Sequence, residues 1–221
     1  MYASSLESRL SGELANRWPE WSEGNERRAI ALRKKTIYQG NHLPLVIQQI
    51  RQKLPDPGLS RQVEAFASRS PNLFKAVNNA VAVVASRGGR RTLRGVGDKA
   101  IKAFSTLIDE SAINKRANGI NAHSWGLGPV IVAPLIDKRN RLAIDTITPD
   151  TVEIRRSGEY IEAALWQFAG GWIELDAEAY RYYDAKGILY QTIPHATGQC
   201  PAVPFISMDN SIDFWTPTQT L

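Results

Sequence analysis

Midway along the chain the spacing of apolar residues changes from the period of a helix to that of a strand, and this change limits the fold more than any other feature. From Asp98 onward, Ile101, Phe104, Ile108 and Ala112 recur at helical steps, and Ile113, Ala117 and Ile120 hold a second register, as in a helix packed on a core. Asp98 is read as the N-cap, and Gly126 and Gly128 after Trp125 as the stop. Beyond them, Pro129 to Pro134 is a short apolar run, Arg141 to Ile147 alternates, and Thr148-Pro149-Asp150 is turn chemistry, since proline fixes φ and disfavours a helix before it. The expected class is α+β: a helical region over residues 1–97, a long central helix over 98–128, and an antiparallel β-rich region over 129–221.

A chain of 221 residues with ordinary apolar content can bury a sizeable core. Its formal net charge of +5 permits a polyanionic partner without requiring one. The single cysteine, Cys200, excludes an intrachain disulfide and is read as a small packed side chain. No stretch has the apolar length of a membrane span, and Glu7 and Arg9 interrupt any signal-peptide core. A soluble, intracellular protein with no membrane partner is the expectation.

Upstream of the seam, the spacing predicts helices over Ser4 to Asn16, Asn25 to Tyr38, Leu43 to Leu54, Ser60 to Ser68 and Asn72 to Ser86. Trp18 and Trp21 flank Pro19 and read as a packing anchor, because each indole offers a large area for burial. Pro55-Asp56-Pro57-Gly58 is a strong breaker, and Ser70-Pro71 supplies a cap and an N1 proline. Leu73, Phe74, Val77, Ala80, Val81 and Val84 form a broad apolar face, so that helix is expected to be largely buried. Between Arg87 and Gly97 lies the most basic and glycine-rich piece, with Arg87, Arg90, Arg91 and Arg94. It lacks both the Gly-Lys-Ser/Thr and the preceding strand of a nucleotide-binding loop. A solvated turn and a contact with nucleic-acid phosphates both fit it.

Downstream, strands are expected over Thr151 to Arg155, Tyr160 to Phe168, Gly171 to Leu175, Tyr180 to Asp184, Ile188 to Pro194 and Val203 to Ser207. Glycine turns at Ser157-Gly158, Ala169-Gly170-Gly171 and Ala185-Lys186-Gly187 make an antiparallel meander the economical topology. The aromatic residues from Trp166 to Tyr190 read as cross-strand packing. Ile212 to Trp215 is apolar and is expected to dock, on this chain or on a neighbour.

Motifs for bond chemistry are lacking. His42, His123 and His195 lie far apart and outside any zinc pattern, and neither a Gly-x-Ser-x-Gly nor a dinucleotide-binding signature is present. Asp145 and Asp150 beside turns read as backbone-capping carboxylates. No catalytic, metal or cofactor residue is assigned, and a non-enzymatic protein is expected.

The order of the pieces resembles the tailed-phage portal protein family. The likeness runs from a basic helix into Tyr38-Gln39-Gly40, through the helix from Asn72 and the long helix ending at Trp125, into Gly126 to Val132. It continues from Arg141 to Val152, then through the hairpins to Gly198 to Phe205 and Phe214-Trp215. It covers most of the chain from about Arg27 onward, and it rests on order and spacing.

The resemblance implies a homo-oligomeric ring, typically a dodecamer, at one vertex of a double-stranded DNA phage head. Its expected partners are the major capsid protein, head-tail adaptor or tail proteins, terminase during packaging, and non-specifically held DNA. Its expected places are the virion and, during assembly, the host cytoplasm. The likeness reaches the wing region alone, since stem, clip and crown would follow Leu221. In such a ring Trp18, Trp21, Phe214 and Trp215 are candidate subunit contacts, and Arg87, Arg90, Arg91 and Arg94 candidate DNA contacts. Two other readings stay open: a free-standing basic nucleic-acid-binding module, and a hydrolase or transferase whose carboxylates converge in the fold.

Overall fold

The structure, a computed structural model, describes residues 10–68, 71–82, 92–136, 142–158 and 160–205. Helices precede strands in it, as the change of periodicity predicts. The described helices are α1 (Gly12–Arg17), α2 (Glu20–Glu23), α3 (Asn25–Tyr38), α4 (Leu43–Lys53), α5 (Pro57–Ala67), α6 (Leu73–Ala82), α7 (Asp98–Ser111) and α8 (Ile113–Leu127). The strands are β1 (Val130–Ile136), β2 (Leu142–Ile147), β3 (Val152–Ser157), β4 (Tyr160–Phe168), β5 (Gly171–Leu175), β6 (Ala179–Tyr183), β7 (Leu189–Pro194) and β8 (Val203–Phe205).

The expected long central helix is two helices. Ala112 takes the left-handed conformation (φ 50°, ψ 29°) between α7 and α8, at the position where one apolar register gives way to the other. A left-handed alanine costs energy, and tertiary packing holds it there: α7 lies against β2, while α8 packs with α3 and α6 and leads into β1. Asp98 is the first helical residue and makes no side-chain cap, Gly97 occupying the cap position. The presumed breaker at Pro55 to Gly58 is also a start signal. Asp56 accepts hydrogen bonds from the Gly58 and Leu59 amides, and Pro57 fills the first turn of α5.

Strands β3 to β7 form one antiparallel meander, each paired with the next in sequence. Tight turns set its register. Ala169 and Gly170 both have positive φ (46° and 84°) in the two-residue link between β4 and β5, as a type I′ hairpin requires. The Asp176 and Asp184 side chains accept backbone N–H groups in the following two turns. The last strand departs from the meander. β8 returns to pair with β1, giving a second sheet in the order β2-β1-β8.

Strands β3 to β6 of the five-stranded sheet are covered on both faces, while β7 is exposed along its length. Val152, Ile154, Ala164, Trp166, Ile173, Leu175 and Tyr180 pack against Ile131, Ala133 and Ile147 of the smaller sheet, with Cys200 and Ala202. Ala163, Leu165, Trp172 and Tyr183 point the other way and pack against Leu14, Trp18 and Trp21. Double coverage explains why β4 reads as a nearly continuous apolar run, Ala163-Ala164-Leu165-Trp166, instead of alternating.

Candidate functional site

The outer face of the larger sheet carries charge where a hydrophobic layer is the norm. Glu153 on β3 and Glu174 on β5 each sit opposite Leu165 or Arg181 on neighbouring strands, and both are buried. An isolated carboxylate there would cost several kcal/mol. Helices α1 to α3 supply the compensation. Trp18 Nε1 and Arg17 donate to Glu174 Oε1 (3.0 and 2.9 Å), and the Tyr183 hydroxyl donates to Oε2 (2.6 Å). Glu153 accepts from Arg28 (2.7 Å) and Arg27. Arg28 also donates to the Trp21 carbonyl and to Asn25, and its guanidinium lies 3.8 Å from the Trp21 ring centre. Arg155 grips Glu20 through two hydrogen bonds (2.9 and 3.1 Å) and stacks over Trp18.

Burial dominates the electrostatics of this layer. It raises the Glu153 carboxyl above its ordinary value against the pull of Arg27 and Arg28, and it lowers Arg28 to about 10. The Glu174 contact raises the Tyr183 phenol further after burial has done so. Donors crowd both carboxylates beneath the helices, so the arrangement docks a helical layer onto a sheet and leaves neither acid open to a substrate.

A second polar cluster ties α3 to the turn after β2. Lys35 Nζ donates to Thr148 (3.0 Å) and to Asp150 Oδ2 (2.8 Å). Asp150 is thus an ion-pair partner rather than a backbone cap. Asp145 does accept an amide, from Thr146 (2.9 Å), and burial raises its carboxyl. Nearby, the ring of His123 meets Tyr38 edge-on, centroids 5.7 Å apart. Burial, then Lys35, holds its imidazole below the ordinary value. Among the described residues, His123 Nδ1, Asp150 Oδ1 and Asn78 Nδ2 are buried without a hydrogen-bond partner.

The described residues contain no group of three metal-ligating side chains and no helix long and apolar enough to cross a membrane. A surface depression is lined by Pro44, Ile47, Gln48, Arg51 and Gln52 of α4 alone, a helix flank rather than a cleft. Cys200 is buried, donates weakly to the Leu175 carbonyl, and has its thiol raised to about 11 by burial, which suits packing and opposes nucleophilic use.

The candidate contact residues divide three ways. Trp18 and Trp21 are 1% and 5% exposed in the core of their own chain, so they are not available to a neighbouring subunit. Their indoles are spent on Glu174, Arg28, Arg155 and Trp172. Arg94 is exposed. Arg87, Arg90, Arg91, Phe214 and Trp215 lie outside the described residues.

Exposed apolar surface turns up where a core was expected. In α6, Leu73 and Val77 are 67% and 60% exposed, and Phe74 is exposed as well. The buried residue is Asn78, against Gly126 of α8, where any Cβ would meet its amide. Val46 on α4, Leu59 and Phe66 on α5, and Ile101 and Leu107 on α7 are exposed too. Their helical spacing was visible in the sequence, but periodicity shows that a face is apolar without showing what covers it. In comparisons with known proteins, the chain matches no family model and no curated protein.

Proposed function

We propose that the chain is a subunit of a portal-type ring at one vertex of a tailed double-stranded DNA phage head, through which the genome is packaged and ejected and to which the tail is joined. One observation carries this reading: the sandwich fills its own core, while α4, α5 and α7 bury only Ser60 and Ser111 between them. Large apolar patches on a soluble chain mark contact sites. A closed ring needs two different, complementary surfaces on each subunit.

The ordered resemblance gives the ring its identity. The segment from Trp125 to Val152 passes through the end of α8, β1, β2 and the turn into β3, the junction where helical layer and sandwich meet. DNA passing such a ring would meet Arg94 and its neighbours in sequence as phosphate-neutralising charges. Binding would then be weak, steeply salt-dependent and blind to sequence.

Mass measurement and negative-stain imaging of the native assembly test the proposal. Rings around a central hole are expected. A monomer that binds DNA tightly would favour a free-standing nucleic-acid module instead. Replacing Arg87, Arg90, Arg91 and Arg94 with alanine should impair packaging, and unchanged packaging removes the DNA contact from this region.

A further inference from the structure

Helices α4 and α5 form an arm. The chain leaves the helical layer after Tyr38 and returns at Asn72, whose side-chain amide donates to the Ile37 carbonyl (2.6 Å) and pins the base. Between these points α4 and α5 pack on each other, and on no other described element to a comparable extent. A two-pronged pair from Arg51 to Glu64 (2.8 and 3.0 Å) locks them together. The arm has no core: no residue of α4 is buried, and in α5 only Ser60 is. Amphipathic helices of this length draw their stability from covering the apolar face. Phe66 is nonetheless 78% exposed.

Helix α7 has the same deficit and an opposite charge at its end. Only Ser111 is buried; Phe104 and Ile108 are half-buried, and Ile101 and Leu107 stand exposed on either side of them. Its last turn carries Asp109 and Glu110, both exposed, and no basic residue. Carboxylates at a helix C-terminus oppose the helix dipole, and cations brought there relieve the strain. The arm offers such cations. Arg51 is engaged with Glu64, while Lys53 and Arg61 are exposed on the same hairpin. Arm and α7 of one chain share no substantial contact.

We infer that the arm of one copy lies along α7 of a second copy, apolar stripe against apolar stripe, with Lys53 and Arg61 meeting Asp109 and Glu110. The two surfaces differ, so the contact is heterologous and passes from copy to copy. This deepens the ring reading and rests on it for the repeating arrangement.

Two differently tagged copies of the chain, one Phe66→Cys and one Leu107→Cys, are mixed under conditions of assembly and oxidised. Both positions are exposed and Cys200 is buried, so folding and background are preserved. A disulfide joining the two tags is expected. Lys53→Glu with Arg61→Glu in the first chain should lower its yield on the order of tenfold, about the effect of removing a close charge pair at an interface. Asp109→Lys with Glu110→Lys in the second chain should restore it.

Rings by mass without the joined product overturn the arm contact and leave the ring reading standing. Monomers overturn both. A disulfide insensitive to the charge reversals overturns the proposed matching. A product between Phe66→Cys and Trp215→Cys in place of Leu107→Cys assigns the surface to the segment after β8 and overturns it as well.

Discussion

The sandwich and the arm solve the same problem in opposite ways. Strands β3 to β6 bury side chains on both faces, against the smaller sheet on one side and α1 to α3 on the other. Helices α4 and α5 pack on each other with the Arg51–Glu64 ion pair, bury no apolar side chain fully, and leave Val46, Leu59 and Phe66 exposed. The difference teaches that a buried charge can mark completed packing, while an exposed apolar stripe marks packing that the described residues leave incomplete. Glu153 and Glu174 are among the most buried side chains of the molecule, and each is met by several donors.

The strongest way to break the comparison is to open the sandwich. Trp18→Ala removes a fully buried indole and a donor to Glu174, and should cost about 3–5 kcal/mol in denaturant unfolding. A loss below about 1 kcal/mol would show that α1 is not part of the cooperative unit. Glu153→Ala removes the buried carboxylate that Arg27 and Arg28 share. Breaking a buried pair from one side should cost about 3 kcal/mol. Adding Arg28→Met should recover part of that loss, and no recovery would mean that the two sites are uncoupled.

Acid offers an intermediate test. The folded protein holds the His123 imidazole below its ordinary 6.5, so as pH falls through that value the unfolded chain takes up the proton first. The stability from neutral His123 is complete above about pH 6.5 and drains away below it, with a limiting slope of about 1.4 kcal/mol per pH unit. His123→Gln should flatten the stability profile just below about pH 6.5. An unchanged slope would assign the acid sensitivity to other groups.

The smallest effect on folding belongs to the arm. Phe66→Ser should change the stability of the dissociated chain by no more than about 0.5 kcal/mol, while weakening assembly in sedimentation. A large loss in the dissociated chain would mean that Phe66 is covered within its own subunit.

Much of the local structure was legible. The bounds of α3, β4 and β5 follow from periodicity and from turns such as Ala169-Gly170, because a turn needs only neighbours in sequence to form. The docking layer was not. Arg17 meets Glu174 across 157 positions, and Arg28 meets Glu153 across 125. Nothing local distinguishes a carboxylate that will be buried and paired from one that will face water. Ala112 was hidden for the same reason, since alanine favours a helix and only the demands of β2 on one side and α3 with α6 on the other break it.

The sequence by itself determined the α+β order, the hairpin meander, the single packed thiol and which helical faces are apolar, all properties of short-range sterics and spacing. Tertiary structure alone decided that Trp18 and Trp21 turn inward, that β8 leaves the meander for β1, and that Phe66, Leu73 and Val77 stay exposed among the described residues. Those outcomes depend on which distant surfaces compete for the same space, and hydrophobicity, having no direction, leaves that choice to packing.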